Sequence, residues 1–313
     1  MVNVFSILNP ILHGLMKLAG MSPRRVEIEP GTVLNIWAPT KPLNKPAVVF
    51  LHGFAMDGIT TWLLQVLSLV RSSNYAVYVP DFVFFGGSVT DRADRTVEFQ
   101  SECIAKGLRQ LGVVENCTLV GLSYGGMVGF KMAEMYPELV KSMVVTCSVM
   151  ALTESVSNAG LDRIGFPSWS DYLLPTTVKA LKIMFDSASY NLPNLPNFVY
   201  KDILQVMYNK YRKERNELLE ALVISDKAFT IPHLPQLSIK RGPPKIHLLW
   251  GENDLIFDME TARNLKEQVG EKATLEAIEK AGHLVNLERP CLYNTRLKKI
   301  LASLVQENAQ HNN

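Results

Sequence analysis

The chain has 313 residues, 47% of them hydrophobic, with 32 Lys and Arg against 30 Asp and Glu and a formal net charge of +2. That length and apolar content allow one large core, or a core carrying an inserted subdomain, and argue against disorder as the default. Balanced charge without a long block of one sign leaves no electrostatic footprint for nucleic acid and no polybasic membrane patch. Four cysteines, Cys103, Cys117, Cys147 and Cys291, lack CxxC spacing. They read as reduced structural thiols, as expected of a cytoplasmic protein.

The first 24 residues form a separate N-terminal segment. No Lys or Arg precedes its apolar run, and Pro10, His13 and Lys17 interrupt it well short of the roughly 18 residues a spanning helix needs. An amphipathic helix lying on the protein is expected. Phe5, Ile7, Leu8, Ile11, Leu12, Leu15 and Met16 crowd one face of it, which leaves peripheral membrane contact open. Residues 26–28 and 33–37 then alternate around Glu29-Pro30-Gly31 as an antiparallel hairpin. Ala47-Val48-Val49-Phe50-Leu51 is continuously apolar, as a strand buried on both faces should be, and it runs into His52-Gly53-Phe54.

A helix over 59–71, a strand over 75–79 ending at Pro80-Asp81, a loop through Phe85-Gly86-Gly87-Ser88 and a helix over 96–111 follow. A β-rich run, 117–120, enters Gly121-Leu122-Ser123-Tyr124-Gly125, and a helical run covers 126–136. Residues 143–146 give one more strand. From 150 to 242 there is no buried-strand run, only helical stretches separated by Pro167, Pro175, Pro193, Pro196, Pro232 and Pro235. This is an inserted helical cap. Strand and helix then alternate again: 246–250, 259–269, 274–278 and a last helix over 291–305, before a polar tail at 306–313. The core is therefore 25–149 plus 243–313, and the cap 150–242. Repeated βα units favour a mostly parallel central sheet with helices on both faces and ligands bound beyond the carboxyl ends of its strands.

Ser123 stands between a strand and a helix with glycine two residues away on each side, the pattern of a nucleophile elbow. A serine hydroxyl is a poor nucleophile near neutral pH, so it needs a base and a group that fixes the base's tautomer. Trp250-Gly251-Glu252-Asn253-Asp254 places an acid just after one strand, and Ala281-Gly282-His283 places a histidine after the next. Asp258 and Glu252 compete with Asp254; Asp258 reads better as a helix cap. The oxyanion formed on attack needs N–H donors, which the backbones of Phe54 and Tyr124 supply, with Gly53 letting the first loop approach closely. His52 reads as the holder of that loop and Asp81 as a loop organiser. No histidine shows metal-ligand spacing such as HExxH, and neither a metal nor a cofactor is called for. The cap's Trp169, Tyr172, Met184, Phe185, Phe198 and Met207 read mainly as core, with some of them roofing the site.

Taken together, HGF at 52–54, PDFVFFGGS at 80–88, GLSYGG at 121–126, GENDLIF at 251–257 and AGHLVNLERP at 281–290 resemble the α/β-hydrolase superfamily. Within it, the chain is most similar to the capped plant and bacterial serine esterases and lipase-like hydrolases, over about residues 25–305. The resemblance implies an α/β-hydrolase fold with Ser123 as nucleophile, His283 as base and then acid, and Asp254 as the orienting carboxylate. Gly87 and Asp258 depart from it, since relatives often carry an acidic or polar residue and a proline there. In some relatives the acid follows the strand after the elbow helix, where this chain has Cys147-Ser148.

The implied activity is cofactor-independent cleavage of a carboxylic ester of a small apolar substrate through an acyl-enzyme. An aspartate at the elbow would instead indicate an epoxide hydrolase or dehalogenase. A carbon–carbon bond hydrolase, a lyase or an acyltransferase would use the same triad, and a small-molecule receptor on this fold can retain it. The residue types leave these readings open.

Overall fold

The computed structural model describes residues 3–71, 74–237 and 245–311. The expected downstream edge of the cap at 242 and the last two residues of the polar tail lie outside the described residues, as does the side chain of Phe5. The chain begins with α1 (Val4–Leu18), followed by the hairpin β1 (Met21–Glu29) and β2 (Thr32–Pro39). Gly31 sits in its turn at φ 78°, a conformation that costs any residue with a Cβ. Next come β3 (Ala47–Leu51), α2 (Gly58–Val70), β4 (Ala76–Pro80), the two-residue β5 (Val89–Thr90), α3 (Val97–Gln110), β6 (Cys117–Leu122), α4 (Tyr124–Met135) and β7 (Val140–Thr146).

After β7 the chain leaves the main sheet. A two-residue strand β8 (Leu152–Thr153) opens the excursion, which holds α5 (Glu154–Ile164), α6 (Trp169–Leu173), α7 (Val178–Ala188), α8 (Asn197–Ile203) and α9 (Arg212–Leu222). A π-helical turn, Leu204–Tyr208, continues α8, and β9 (Val223–Ile224) closes the group. Parallel pairing of Leu152 with Val223 and Thr153 with Ile224 staples the two crossings together. The sequence pointed to helices alone here, because two-residue strands are too short to show a period of two. The chain then returns through β10 (Ile246–Gly251), α10 (Met259–Val269), β11 (Ala273–Ile278), α11 (Val285–Glu288) and α12 (Pro290–His311).

The main sheet runs β1-β2-β4-β3-β6-β7-β10-β11, with β5 paired to β2. Pairing is parallel from β4 to β11 and antiparallel at the β1-β2 and β2-β4 edge. Nearly all of β3, β4, β6 and β10 is buried, which explains their unbroken apolar runs. Several helices begin where a side chain supplies an acceptor for their free N–H groups. Asp57 accepts from Thr60 N–H at 2.9 Å to start α2, and Thr96 accepts from Phe99 N–H at 3.1 Å to start α3. Two helices extend further than their periodicity suggests. Pro290 fits the first position of α12, where its missing N–H costs nothing. At the elbow, Ser123 C=O accepts from Gly126 and Met127 N–H, so α4 starts at once after the turn.

α1 lies on the protein as expected, but its apolar residues do not share one face. Leu8, Leu12 and Met16 pack toward the core, with Met16 fully buried. Ile7, Ile11, Leu15 and Leu18 are exposed, Leu18 at 87%. No helix among the described residues is long and apolar enough to cross a membrane.

Candidate active site

Parallel strands in register bring the carboxyl ends of β3, β6, β7, β10 and β11 to one edge of the sheet, and each candidate residue sits just beyond one of them. Ser123 follows β6 with φ 53° and ψ −121°, a strained conformation for a residue with a Cβ. The turn is held by Ser123 N–H donating to Thr146 O at 2.9 Å and by the Ser148 hydroxyl donating to Ser123 O at 2.6 Å. A Cβ at Gly121 would stand 2.6 Å from Gly125 O, and one at Gly125 would stand 2.6 Å from His52 O. Both glycines are therefore required by backbone, which cannot move aside. Gly53 differs from expectation: a Cβ there would meet its nearest atoms at 3.7 Å, an ordinary contact.

Asp254 is buried after β10, and its two oxygens have separate partners. Oδ1 accepts from the N–H groups of Ile256 at 2.7 Å and Phe257 at 3.1 Å, while Oδ2 meets His283 Nδ1 at 2.8 Å. With Oδ2 as acceptor, Nδ1 carries the proton and Nε2 is left to accept one. A Cβ at Gly251 would stand 2.7 Å from Ala281 O, so glycine is what lets the Asp254 loop pass the His283 loop. Asp258 is engaged elsewhere. It caps α10 through Thr261 N–H at 2.9 Å and pairs with Arg163 at 2.8 Å. Although burial opposes it, the Thr261 hydrogen bonds and the Arg163 charge hold its carboxyl below the usual range.

Ser123 and His283 line one cavity, roofed by Trp169, Tyr172, Met184 and Phe185, with about 70 Å³ of free volume. Ser123 Oγ makes no hydrogen bond among the described residues. Of the cap's aromatic and Met residues named from sequence, Met207 lines the cavity too, whereas Phe198 is exposed. Trp169, Tyr172 and Met184 belong to the buried core and Phe185 and Met207 pack against it, as expected, and the same five side chains also line the cavity.

The N–H groups of Phe54 and Tyr124 make no hydrogen bond among the described residues, so both remain able to donate to a ligand oxygen. Their rings meet edge to face at 5.6 Å, and Phe54 also packs on Phe85 at 5.1 Å. His52 fixes the loop from beneath. Its Nε2 accepts from Phe82 N–H at 3.0 Å, so Nδ1 bears the hydrogen and donates to Gly53 O at 2.7 Å. Burial pushes its pKa down to about 4, which keeps the ring neutral. Asp81 organises the neighbouring loops by accepting from Asn35 at 2.8 Å and from Gly58 and Gly87 N–H, each at 2.9 Å. Burial, reinforced by the Asp57 charge, raises its pKa to about 7.

Two more residues adjoin this arrangement, and the contacts of neither were visible in the sequence. Glu288 accepts from Gly282 N–H at 2.8 Å with one oxygen and from Tyr190 and Asn191 N–H at 2.7 and 3.1 Å with the other. It ties the cap to the His283 loop. Cys147, at φ 45°, lies with its sulfur, an Asp254 oxygen and a His283 nitrogen all within 4.8 Å of one another. No sequence spacing links these three, so the metal-capable grouping emerges only in the fold. Burial first, then the Asp254 charge, pushes the Cys147 thiol well above its ordinary pKa. A proton on sulfur and another on Nδ1 would both have to leave before the trio could hold a cation.

Residues 46–290 match the family model for the alpha/beta hydrolase fold. Epoxide hydrolase 4 of Homo sapiens is 23% identical over 281 residues, covering 80% of this chain and 71% of its own. Lipase 1 of Psychrobacter immobilis is 25% identical over 248 residues, covering 77% and 72%. Among solved structures, a membrane phospholipase A described as a bacterial virulence factor superposes with a TM-score of 0.75 at 22% identity, covering 96% of this chain and 91% of its own.

Proposed function

The chain belongs to the alpha/beta hydrolase family, and from that premise we propose that it is a serine hydrolase that cleaves carboxylic esters of small apolar substrates. The observation that carries this is the relay from the Ile256 and Phe257 N–H groups through Asp254 to His283 Nδ1, ending in an apolar cavity that Ser123 shares. In this reading His283 Nε2 takes the Ser123 proton as Oγ bonds to the substrate carbonyl carbon. The Phe54 and Tyr124 N–H groups receive the oxyanion. Collapse of that intermediate expels the alcohol, which leaves with the proton from Nε2. Water then attacks the acyl-enzyme by the same route, and the acid is released. No cofactor enters any step. Ser123 at the elbow supports an acyl-enzyme over the alkyl-enzyme an aspartate would form, despite the likeness to a protein named epoxide hydrolase. The excursion between β8 and β9 acts as the cap that shapes the substrate cavity.

A fluorophosphonate probe and a panel of chromogenic esters test the proposal. Fast labelling lost in Ser123→Ala, with many turnovers per molecule, is expected; no labelling would end it. One observation favours a second reading, a slow-turnover receptor. Glu288 clamps the cap to the His283 loop, so a ligand seated under the cap can shift it in a way that a partner could sense. A single slow turnover coupled to cap rearrangement would select it.

The four cysteines are free thiols, which supports a reducing compartment such as the cytoplasm. Peripheral membrane contact belongs to the same proposal. α1 exposes Ile7, Ile11, Leu15 and Leu18, and residues 1–26 contain Lys17, Arg24 and Arg25 but no acid, which suits an anionic lipid surface. Co-sedimentation with vesicles containing anionic lipid should fall sharply in Ile7→Asp/Ile11→Asp; unchanged sedimentation would remove α1 from that role.

A further inference from the structure

Beside the catalytic cavity lies a second one of about 320 Å³, between α1, the loop after β3 and the cap. Ala55, Met56 and Met207 line both cavities and so form the wall between them. Two of the three are unbranched thioethers, side chains that change rotamer readily, so the wall can open without moving backbone. The second cavity has a different character. Asn9 and His13 of α1 line it together with Asp57, Asp81, Lys210 and Arg215.

The hydrogen-bonding capacity of these groups is unevenly spent. Both Asp81 oxygens are occupied by Asn35, Gly58 and Gly87, and Asp57 caps α2. Arg215 is 6% exposed and makes no ion pair with a carboxylate among the described residues. Nε donates to Phe84 O at 2.8 Å, another nitrogen donates to Met207 O, and the guanidinium stacks on the Phe85 ring at 4.4 Å. Those contacts fix its plane and leave Nη2 without an acceptor. Lys210, which also lines the cavity, is likewise in no ion pair among the described residues, its nitrogen lying 4.6 Å from the Tyr211 ring centre. Nη2 keeps access to water, and the Asp57 carboxylate on the same lining attracts the cation without pairing with it, so the guanidinium faces the cavity with a donor that a ligand oxygen can take over from water. Burial lowers the Arg215 pKa only to about 10, so it remains a cation at neutral pH, while Asp81 carries only part of its charge there.

We infer that this antechamber binds an oxyanionic head group, a phosphate or a carboxylate, on a substrate whose apolar part and ester lie in the catalytic cavity. Arg215 offers a rigid donor to the head group's oxygens and Lys210 a mobile one. The head is thereby held across the Met56–Met207 wall from Ser123. This rests on the hydrolase reading for its catalytic sense, but the binding it describes can be measured without turnover.

Calorimetry on Ser123→Ala protein with decyl phosphate, decanoate and the neutral 1-O-decylglycerol, each below its micelle concentration, reads the head-group preference directly. At least one anionic amphiphile should bind ten times more tightly than decylglycerol, and whichever of the two binds better identifies phosphate or carboxylate as the head. Lys210→Ala and Arg215→Gln should each reduce that preference by about tenfold. Because Arg215 is buried, its variant is checked for folding by circular dichroism; exposed Lys210 carries the test if the Arg215 variant fails to fold. Equal binding of all three amphiphiles, or a preference that survives both substitutions, overturns the inference. Wild-type protein that cleaves no ester yet keeps the head-group preference would overturn the hydrolase reading and leave the antechamber standing. Rapid cleavage of decanoyl esters with no head-group preference in binding would do the reverse.

Discussion

Asp254 gives its two carboxylate oxygens to different tasks: Oδ2 meets His283 Nδ1 at 2.8 Å, and Oδ1 is held by the N–H groups of Ile256 and Phe257. Asp258, four residues on, has its oxygens on Thr261 and Arg163 instead. The two acids should therefore fail differently. Asp254→Asn should keep its fold and lose turnover by about 10⁴-fold, because the amide favours the wrong imidazole tautomer. Asp258→Ala should lose about 0.5 to 2 kcal/mol of stability with the cap of α10, and little activity. Urea denaturation and ester turnover on both proteins check this; a dead Asp258 variant beside an active Asp254 variant would reverse the assignment.

The places of these two acids were legible before the fold because each depends on a short stretch: Asp254 follows a strand and a glycine, and Asp258 precedes a helix. Ser123 and His283 were legible for the same reason, and the strands of the parallel core because burial on both faces leaves unbroken apolar runs. Glu288 was not legible, since its three N–H partners come from segments about 100 and six residues away and each is a backbone group that no side chain advertises. Cys147 stood out only through the resemblance, at the place where some relatives carry the acid; that its sulfur lies beside Asp254 and His283 emerges only when β7, β10 and β11 lie side by side. The split faces of α1 could not be read either, because an apolar helix does not say which of its apolar residues will find a partner.

Glu288 joins the cap to the His283 loop, and this predicts a variant that damages two things together. Glu288→Ala leaves the N–H groups of Gly282, Tyr190 and Asn191 without their acceptor, at a cost of roughly 1–3 kcal/mol. Turnover should fall at least tenfold, and amide exchange at 190–191 and 282 should accelerate. Unchanged exchange at those amides would show that the clamp does not hold the cap.

Gly125 and Gly53 flank the same junction but should tolerate a methyl group very differently. At Gly125 a Cβ would press on the β3 backbone, so Gly125→Ala should cost more than about 3 kcal/mol or prevent folding. Gly53→Ala meets only ordinary contacts at 3.7 Å and should fold with a melting temperature near that of the parent. Equal tolerance at both positions would contradict the packing of the elbow against β3.

Asp81 and His52 should push stability in opposite directions as pH changes. Burial raises the Asp81 pKa to about 7, so its contribution is fully present below the unfolded value of 3.8 and is lost as pH rises to 7. Burial lowers that of His52 to about 4, so its contribution is present above 6.5 and is lost as pH falls toward 4. Between pH 4.5 and 6.5 the two largely offset. Asp81→Asn removes the falling limb alone, so the variant should gain on the parent by up to about 4 kcal/mol between pH 4 and 7.5. Urea midpoints at the two ends of that range decide it; a constant difference between the proteins would mean that Asp81 does not titrate there.

The proximity of Cys147 to the Asp254–His283 pair makes the acid's position on the chain testable. Sulfur, carboxylate oxygen and imidazole nitrogen lie within 4.8 Å of one another, so a carboxylate at 147 would start close to the ring it has to orient. Gly251 N–H, now 3.4 Å from the Cys147 sulfur, would be at hand as a donor to it. Aspartate also tolerates the positive φ of 45° better than most residues. Cys147→Asp alone should destabilise the protein, because two buried carboxylates would then share one imidazole and one of them would be forced to keep its proton. Combined with Asp254→Asn, which removes that repulsion, it should recover at least tenfold of the turnover that Asp254→Asn loses. Ester turnover of the two single variants and the double variant, all checked for folding, gives the answer. A folded double variant no faster than Asp254→Asn would mean that the carboxylate at 147 cannot reach His283 Nδ1.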